Sequence, residues 1–255
     1  MDKNTIEIIG VTGLPEIKPG DDIAKLILRS ANAQNLLIKE YDVFVIAQKI
    51  ISKSEGQFVY LSSVKPSSFS KIFGEKSGKD PRIIEIALKD SRQIIKLDYE
   101  RGILITETHH GFICANSGVD SSNVSGDEVA LRLPKKPDES AIELASKIQC
   151  ISGINNISVI ISDTFGRPWR EGQTNFSIGS SGIQPTIDYR GKMDDFQKIM
   201  NVTEIAIIDE LAAAAELVMR KTKRIPVAII RGVTYKNNNL GTSSLIRNKQ
   251  TDLFR

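Results

Sequence analysis

The chain has 255 residues, 40% of them apolar and 25% charged, with a formal net charge of +3. That length suffices for one large domain or two modest lobes around a real core. Usage this ordinary excludes a disordered or collagen-like chain. The mild basic excess is too dilute for a nucleic-acid surface, and no apolar run approaches the ~20 residues of a membrane span.

In chain order, short β-branched runs recur at Ile6 to Ile9, Val43 to Ala47, Ile103 to Thr106, Val159 to Ile161 and Val227 to Ile230. Polar or Gly/Pro residues bound each, so they read as buried strands. Helical patterns lie between them. Asp21 and Asp22 precede a run in which Ile23, Leu26 and Ile27 share a face. Asp80-Pro81 opens a second helix through Ile83, Ile84 and Ile86, and Asp138-Glu139-Ser140 a third through Ile142, Leu144 and Ile148. The strongest pattern runs from about Val202 to Lys221, with Asn201 and Glu204 spaced as a capping box and alanines from Ala212 to Ala215. Strands alternating with helices predict an α/β or α+β fold over residues 1–255, with no visible linker. Lys65–Gly78 reads as exposed surface.

The N-terminal MDKNTIEIIG lacks the charged start and long apolar core of a signal peptide, so the cytoplasm is the expected location. Cys114 and Cys150 form no C-x-x-C pair and read as reduced thiols packed inside. The N-x-[ST] triplets at Asn123, Asn156, Asn175 and Asn201 carry no glycan meaning in that compartment.

Residues 108–127 and 162–191 are polar and rich in Gly, Ser, Asn and Asp, and read as two long loops of the kind compact domains keep for function. In the second, an acid follows a buried strand at once: Val159-Ile160-Ile161-Ser162-Asp163-Thr164. Open α/β sheets put their ligands at the carboxyl ends of strands, and Mg²⁺ or Mn²⁺ is held by one or two carboxylates, waters and phosphates. Asp163 suits that role, with Thr164 adding an oxygen. The plain alternative is an acid capping a turn. Asp120, in Gly118-Val119-Asp120-Ser121-Ser122-Asn123, offers a second carboxylate from a distant segment, against an Asx turn as its alternative. Asn123 could present its amide to a nucleotide.

Arg167 and Arg170 flank Trp169, the only tryptophan. Their planar forks match carboxylate or phosphate oxygens, though surface ion pairs are the ordinary use. Gln48, Lys49 and Lys53 follow the strand ending at Ala47. The two lysines share a face of any helical turn and could meet phosphates, or simply lie in solvent. His109 and His110, as adjacent residues, point different ways and carry no catalytic assignment. No P-loop, G-x-G-x-x-G fingerprint or G-x-S-x-G elbow occurs, so a nucleotide must be held by other means.

These segments together resemble the coenzyme F420-0:L-glutamate ligase family. The resemblance spans essentially the whole chain. It rests on Gly13-Leu14-Pro15-Glu16-Ile17, Asp42-Val43 through Gly56, Glu107-Thr108-His109-His110-Gly111 and Gly118 to Val124. It continues through Ser162-Asp163-Thr164-Phe165-Gly166-Arg167-Pro168-Trp169-Arg170, Asp188-Tyr189-Arg190-Gly191, the Ala212 to Met219 helix and Asp252-Leu253-Phe254-Arg255.

The resemblance implies a two-lobed, intertwined homodimer that uses GTP to phosphorylate a carboxylate of coenzyme F420-0. The α-amino group of L-glutamate then displaces phosphate, and further γ-linked glutamate can follow. Two divalent ions, Mg²⁺ or Mn²⁺, are expected, with K⁺ assisting. By similarity Asp120 and Asp163 hold the first ion and Thr164 the second. Leu14, Pro15, Glu16, Ile17, Gln48, Lys49, Lys53 and Asn123 line the nucleotide, and Met219 to Pro226, including Lys221, closes over it. Arg167 and Arg170 are assigned, from charge and position, to grip the substrate carboxylate or the γ-phosphate. One departure stands out. Some relatives carry an acid or amide shortly after the Met of this segment, where this chain has Lys221, which suits a phosphate rather than a metal. A related amide ligase with another carboxylate acceptor, or a silent nucleotide- or deazaflavin-binding module, are the competing readings.

Overall fold

Side-chain alternation decides how the central strands face. A computed structural model describes residues 5–121 and 128–252. In β2 (Val43–Ala47), Phe44 and Ile46 enter one buried cluster while Val43 and Val45 enter another. In β8 (Ser158–Arg167), Val159 and Ile161 part from Ile160 in the same way, and in β12 (Val227–Arg231), Val227 and Ile229 part from Ala228 and Ile230. Strands with both faces apolar need cover on both sides.

The remaining elements supply it. In order they are β1 (Glu7–Val11), α1 (Ile23–Ala33), α2 (Gln48–Ser54), β3 (Phe58–Tyr60), α3 (Ser68–Ser77), α4 (Pro81–Lys89), β4 (Ser91–Asp98), β5 (Ile103–Thr108) and β6 (Ile113–Ala115). After these come β7 (Val129–Leu131), α5 (Pro137–Ser152), β9 (Arg170–Ser181), β10 (Ile187–Asp188), β11 (Glu204–Ile205) and α6 (Ile207–Met219). The main sheet has the order β1-β12-β2-β8-β9, antiparallel except for the parallel pair β2 and β8. Ile27 and Ala31 of α1 and Leu144 and Ile148 of α5 cover one face. Ile208, Leu211, Ala212, Ala215 and Met219 of α6 cover the other, where the alanines let the helix sit close to the strands. A third cluster, with Leu61, Phe73, Ile84, Leu104 and Ala130, joins α3 and α4 to the sheet β4-β5-β6 and the pair β3-β7. This is the α+β architecture expected from the sequence.

Helix starts follow their caps. The Asp22 carboxylate accepts from Lys25 N–H and that of Asp80 from Arg82 N–H, as predicted. Other expectations are corrected. The helix expected from Val202 begins at Ile207, because Glu204 and Ile205 instead pair with Asp188 and Ile187 in a short hairpin. Ala206 then precedes the helix with no side-chain cap, so the Asn201–Glu204 box does not form. Residues 65–78, expected as exposed surface, contain α3, capped by Ser67 and anchored by the buried Phe73. Cys150, expected inside, is exposed on α5, while Cys114 is buried.

The tract expected as a loop over 162–191 is largely a long hairpin. β8 does not stop at Ile161 but runs through Asp163 to Arg167, and β9 returns from Arg170. Its polar outer half has no apolar alternation to announce it, because that half extends beyond the core. A bulge between Ile161 and Ser162 shifts the register. Nearby, Gly179 lets β9 pass under the start of α5, since a Cβ there would lie 2.4 Å from the Pro137 carbonyl. In the other tract, β6 is followed by a 3-10 turn at Asn116–Gly118 and a bridge between Asp120 and Leu131.

Candidate functional site

The site grows from the end of the parallel pair. β2 stops at Ala47, opposite Ser162, and α2 begins at the next residue. Asp163 is therefore the first residue of β8 that leaves its parallel partner, so the carboxyl end of β2 presents the acid even though β8 itself continues. Ala47 N–H donates to Pro226 O at 2.8 Å, which brings the segment after α6 to the same place.

Asp163 is partly buried, and its carboxyl is pushed up to about 6. Burial is the largest cause; the Thr164 N–H and the charges of Lys221 and Lys49 oppose it, and the neighbouring Asp120 charge adds to it. Asp120 is fixed by its backbone: its N–H donates to Leu131 O at 3.0 Å and its carbonyl accepts from Leu131 N–H at 2.8 Å. Its carboxylate meets the Lys49 ammonium at 2.6 Å. Two hard-oxygen carboxylates from distant segments, one already beside a cation, suit one Mg²⁺ or Mn²⁺. Among the described residues no group of three His, Cys, Asp or Glu gathers, so waters and phosphate oxygens would complete such an ion's shell.

Thr164 turns the other way, as successive strand residues do. Its hydroxyl donates to Asn175 Oδ1 at 2.6 Å and accepts from the Lys221 ammonium. Asn175 Nδ2 in turn donates to Glu216 Oε2 at 3.1 Å, and Lys221 lies 4.0 Å from the other Glu216 oxygen. A second cation on Thr164 thus does not fit while Lys221 occupies that hydroxyl. Glu216 is the nearby carboxylate that sequence reading missed. Its signal was a position one helical turn after the buried Ala212, on the face α6 turns to the sheet.

Of the expected nucleotide residues, Lys49 touches this pair directly, at Asp120, and the others pack around the neighbouring elements. Lys53, at 7% exposure, bonds to the Glu16 carboxylate, and Arg224 reaches Glu16 from the segment after α6 at 3.6 Å. Leu14 and the buried Ile17 pack on the first core cluster, while Pro15 is exposed. Gln48 is buried, accepting from the Ser52 hydroxyl at 2.8 Å, and Met219 belongs to the second cluster. Asn123 lies outside the described residues.

Arg167 and Arg170 stand apart. They pair across the hairpin tip, around an exposed Trp169 whose φ is 57°. The Cα of Arg167 lies ~13 Å along the strand from that of Asp163. Its guanidinium donates to Glu171 O at 2.8 Å. The histidines also lie elsewhere, with ring nitrogens 3.0 Å from the Lys89 and Lys135 carbonyls. Cys114 does lie near the site: burial and then the Asp163 charge push its thiol up to about 12, which leaves it an inert core group.

The model of F420-0:gamma-glutamyl ligase matches residues 12–232, most of the chain. The chain belongs to the F420-0:gamma-glutamyl ligase family. Similar members include the coenzyme F420:L-glutamate ligase of Methanothermobacter thermautotrophicus, 40% identical over 253 residues, 98% of this chain and 99% of that one. That of Methanocaldococcus jannaschii is 40% identical over 258 residues, 100% and 98% of the two chains. That of Methanopyrus kandleri is 38% identical over 245 residues, 94% of each. The family match therefore covers every element that builds the Asp120–Asp163 site.

Proposed function

We propose that this chain is a cytoplasmic ligase that joins L-glutamate to coenzyme F420-0 at the expense of GTP, and can then add further γ-linked glutamate. The observation that supports it best is the pair Asp120 and Asp163 set between the ammonium groups of Lys49 and Lys221. A carboxylate is a poor electrophile at neutral pH and must first be activated. A carboxylate oxygen of the coenzyme attacks the γ-phosphorus, and GDP leaves. The α-amino group of glutamate, once it has given up its ammonium proton to solvent, attacks the acyl carbon. The C–N bond forms, the acyl C–O bond to phosphate breaks, and the nitrogen's surplus proton leaves with the phosphate.

A divalent ion on Asp120 and Asp163 would neutralise phosphate charge during both transfers. The lysines do the rest. Each now rests on an acid or hydroxyl of the protein itself: Lys49 on Asp120, Lys53 on Glu16 and Lys221 on Thr164. A triphosphate offers stronger partners for all three, which stands in for a P-loop. Arg167 and Arg170 act from the hairpin tip on substrate that reaches out to them, and K⁺ assists.

A homodimer is part of this reading. Trp169 at one hairpin tip and Met193, Phe196, Ile199 and Val202 in the segment between β10 and α6 are exposed. Four exposed apolar side chains within the one short segment from Met193 to Val202 suit a surface for another chain, and a second copy is the simplest one. Among the described residues no helix is long and apolar enough to cross a membrane.

The test is to mix the purified chain with coenzyme F420-0, L-glutamate, GTP and Mg²⁺ or Mn²⁺, with and without K⁺, and follow product mass. A gain of glutamyl units that requires GTP and metal supports the reading. Consumption of GTP without an adduct points to another carboxylate acceptor. Coenzyme binding with no phosphate release points to a silent binding module.

A further inference from the structure

The hairpin that carries Asp163 also walls a second recess. A cavity of about 250 Å³ lies beside β9, the edge strand of the main sheet, with Phe165, Phe176, Ser177, Asp209, Thr242 and Arg247 in its lining. Its size sets the scale of its occupant. Pockets that enclose a drug-sized ligand run to ~300–1,000 Å³, so this one suits a single amino acid rather than a tricyclic coenzyme.

Its walls have the matching chemistry. Phe165 and Phe176 stack at 6.0 Å between ring centres and form an apolar side fit for methylene groups. At the polar side, Asp209 of α6 is held in orientation by the Ser177 N–H, which donates to its Oδ1 at 2.9 Å. Arg247, exposed at the rim, brings the opposite charge. With Asp252 as a second carboxylate in the lining, the walls offer partners for both the ammonium and a carboxylate of a zwitterion. Position completes the case, because Phe176 is the ladder partner of Asp163, ~5 Å away between Cα atoms.

We propose that this cavity is the amino-donor subsite, with Asp209 pairing with the ammonium of L-glutamate and Arg247 with one of its carboxylates. The proposal rests on the ligase reading above and adds where the second substrate sits. Burial pushes the Asp209 carboxyl up, and an arriving ammonium relieves that cost. The apolar wall holds the side-chain methylenes, while the amino end lies toward the strand pair that presents Asp163.

The test uses the whole chain and two variants that keep the fold. Asp209→Asn retains an acceptor for the Ser177 N–H but removes the charge, and Arg247→Gln changes an exposed residue. Calorimetry with L-glutamate alone is expected to find binding to the wild type that weakens about tenfold or more in each variant. In turnover, KM for L-glutamate should rise by a similar factor while KM for GTP and for the coenzyme stays within about twofold. Glutamate affinity unchanged in both variants, or no glutamate binding to the wild type at millimolar concentration, overturns the subsite. A wild type that binds glutamate through Asp209 and Arg247 but makes no glutamyl product would instead sink the ligase reading and leave the subsite standing.

Discussion

The ammonium of Lys49, from the first turn after β2, lies 2.6 Å from the Asp120 carboxylate, the same group that adds its charge to Asp163. A cation already sits where a divalent ion would bind, and it belongs to a residue expected to hold nucleotide. On the proposed reading metal and nucleotide binding are linked: an ion at Asp120 would displace Lys49 and free it for phosphate. Lys49→Met should strengthen Mn²⁺ binding several-fold in the absence of nucleotide while weakening GTP binding about tenfold. Electron paramagnetic resonance of free Mn²⁺ and calorimetry with GTP measure the two. Weaker Mn²⁺ binding in the variant would refute the exchange.

Lys221 makes the corresponding case on the other side of the strand. It occupies the Thr164 hydroxyl and lies 4.0 Å from Glu216. Without nucleotide, the wild type should bind a single divalent ion with measurable affinity. Lys221→Glu replaces the ammonium with a carboxylate beside Thr164 and Glu216 and should admit a second ion, read as a doubled Mn²⁺ stoichiometry. The same stoichiometry in both proteins would show that Lys221 does not exclude that ion.

Asp163 carries a cost in stability when ionised. Its carboxyl titrates near 6 in the fold, against an ordinary 3.8. A raised folded-state value means the folded chain holds the proton more tightly than the unfolded chain. Stability is thus full below about pH 4, declines as pH rises through about 6, and stays reduced above that by up to about 3 kcal/mol. Asp163→Asn carries no such charge. The metal-free variant should melt above the wild type at pH 7, with the difference vanishing at pH 4. Added Mn²⁺ should raise the melting temperature of the wild type and leave that of the variant in place. Equal melting at pH 7 without metal would remove the buried-charge account.

Phe73 tests a segment whose sequence reads as surface. It is fully buried in the third core cluster, 5.2 Å from the Tyr99 ring and 6.2 Å from Phe69 between ring centres. Phe73→Ala should cost about 3–5 kcal/mol in denaturant unfolding. A loss under ~0.5 kcal/mol, as expected of an exposed site, would restore the surface reading.

The sequence was legible wherever burial writes a pattern. The runs at Val43, Val159 and Val227 became the central strands because both faces of that sheet are covered, and Asp22 and Asp80 announced helices through their caps. The hairpin from Ser162 to Ser181 was not legible, because its outer half leaves the core and carries Thr, Asn, Gly and Arg on both faces. The start of α6 was misplaced for a related reason: Glu204-Ile205 has helical spacing but finds a strand partner distant in sequence. The candidate residues Asp120, Asp163, Lys49, Lys53 and Lys221 stood out in the sequence by residue type and position. Their mutual pairing did not, nor did the Thr164–Asn175–Glu216 chain, since those contacts depend on how β9 and α6 meet.

The central claim is that Asp120 and Asp163 hold the ion at which a carboxylate is activated. The most direct measurement is product mass from coenzyme F420-0, L-glutamate, GTP and Mn²⁺, run side by side for the wild type, Asp120→Ala and Asp163→Ala. Circular dichroism confirms that each is folded. A glutamyl adduct from the wild type, with at least a thousandfold less (about 4 kcal/mol) from either variant, is the predicted result. Undiminished ligation by either folded variant would contradict it.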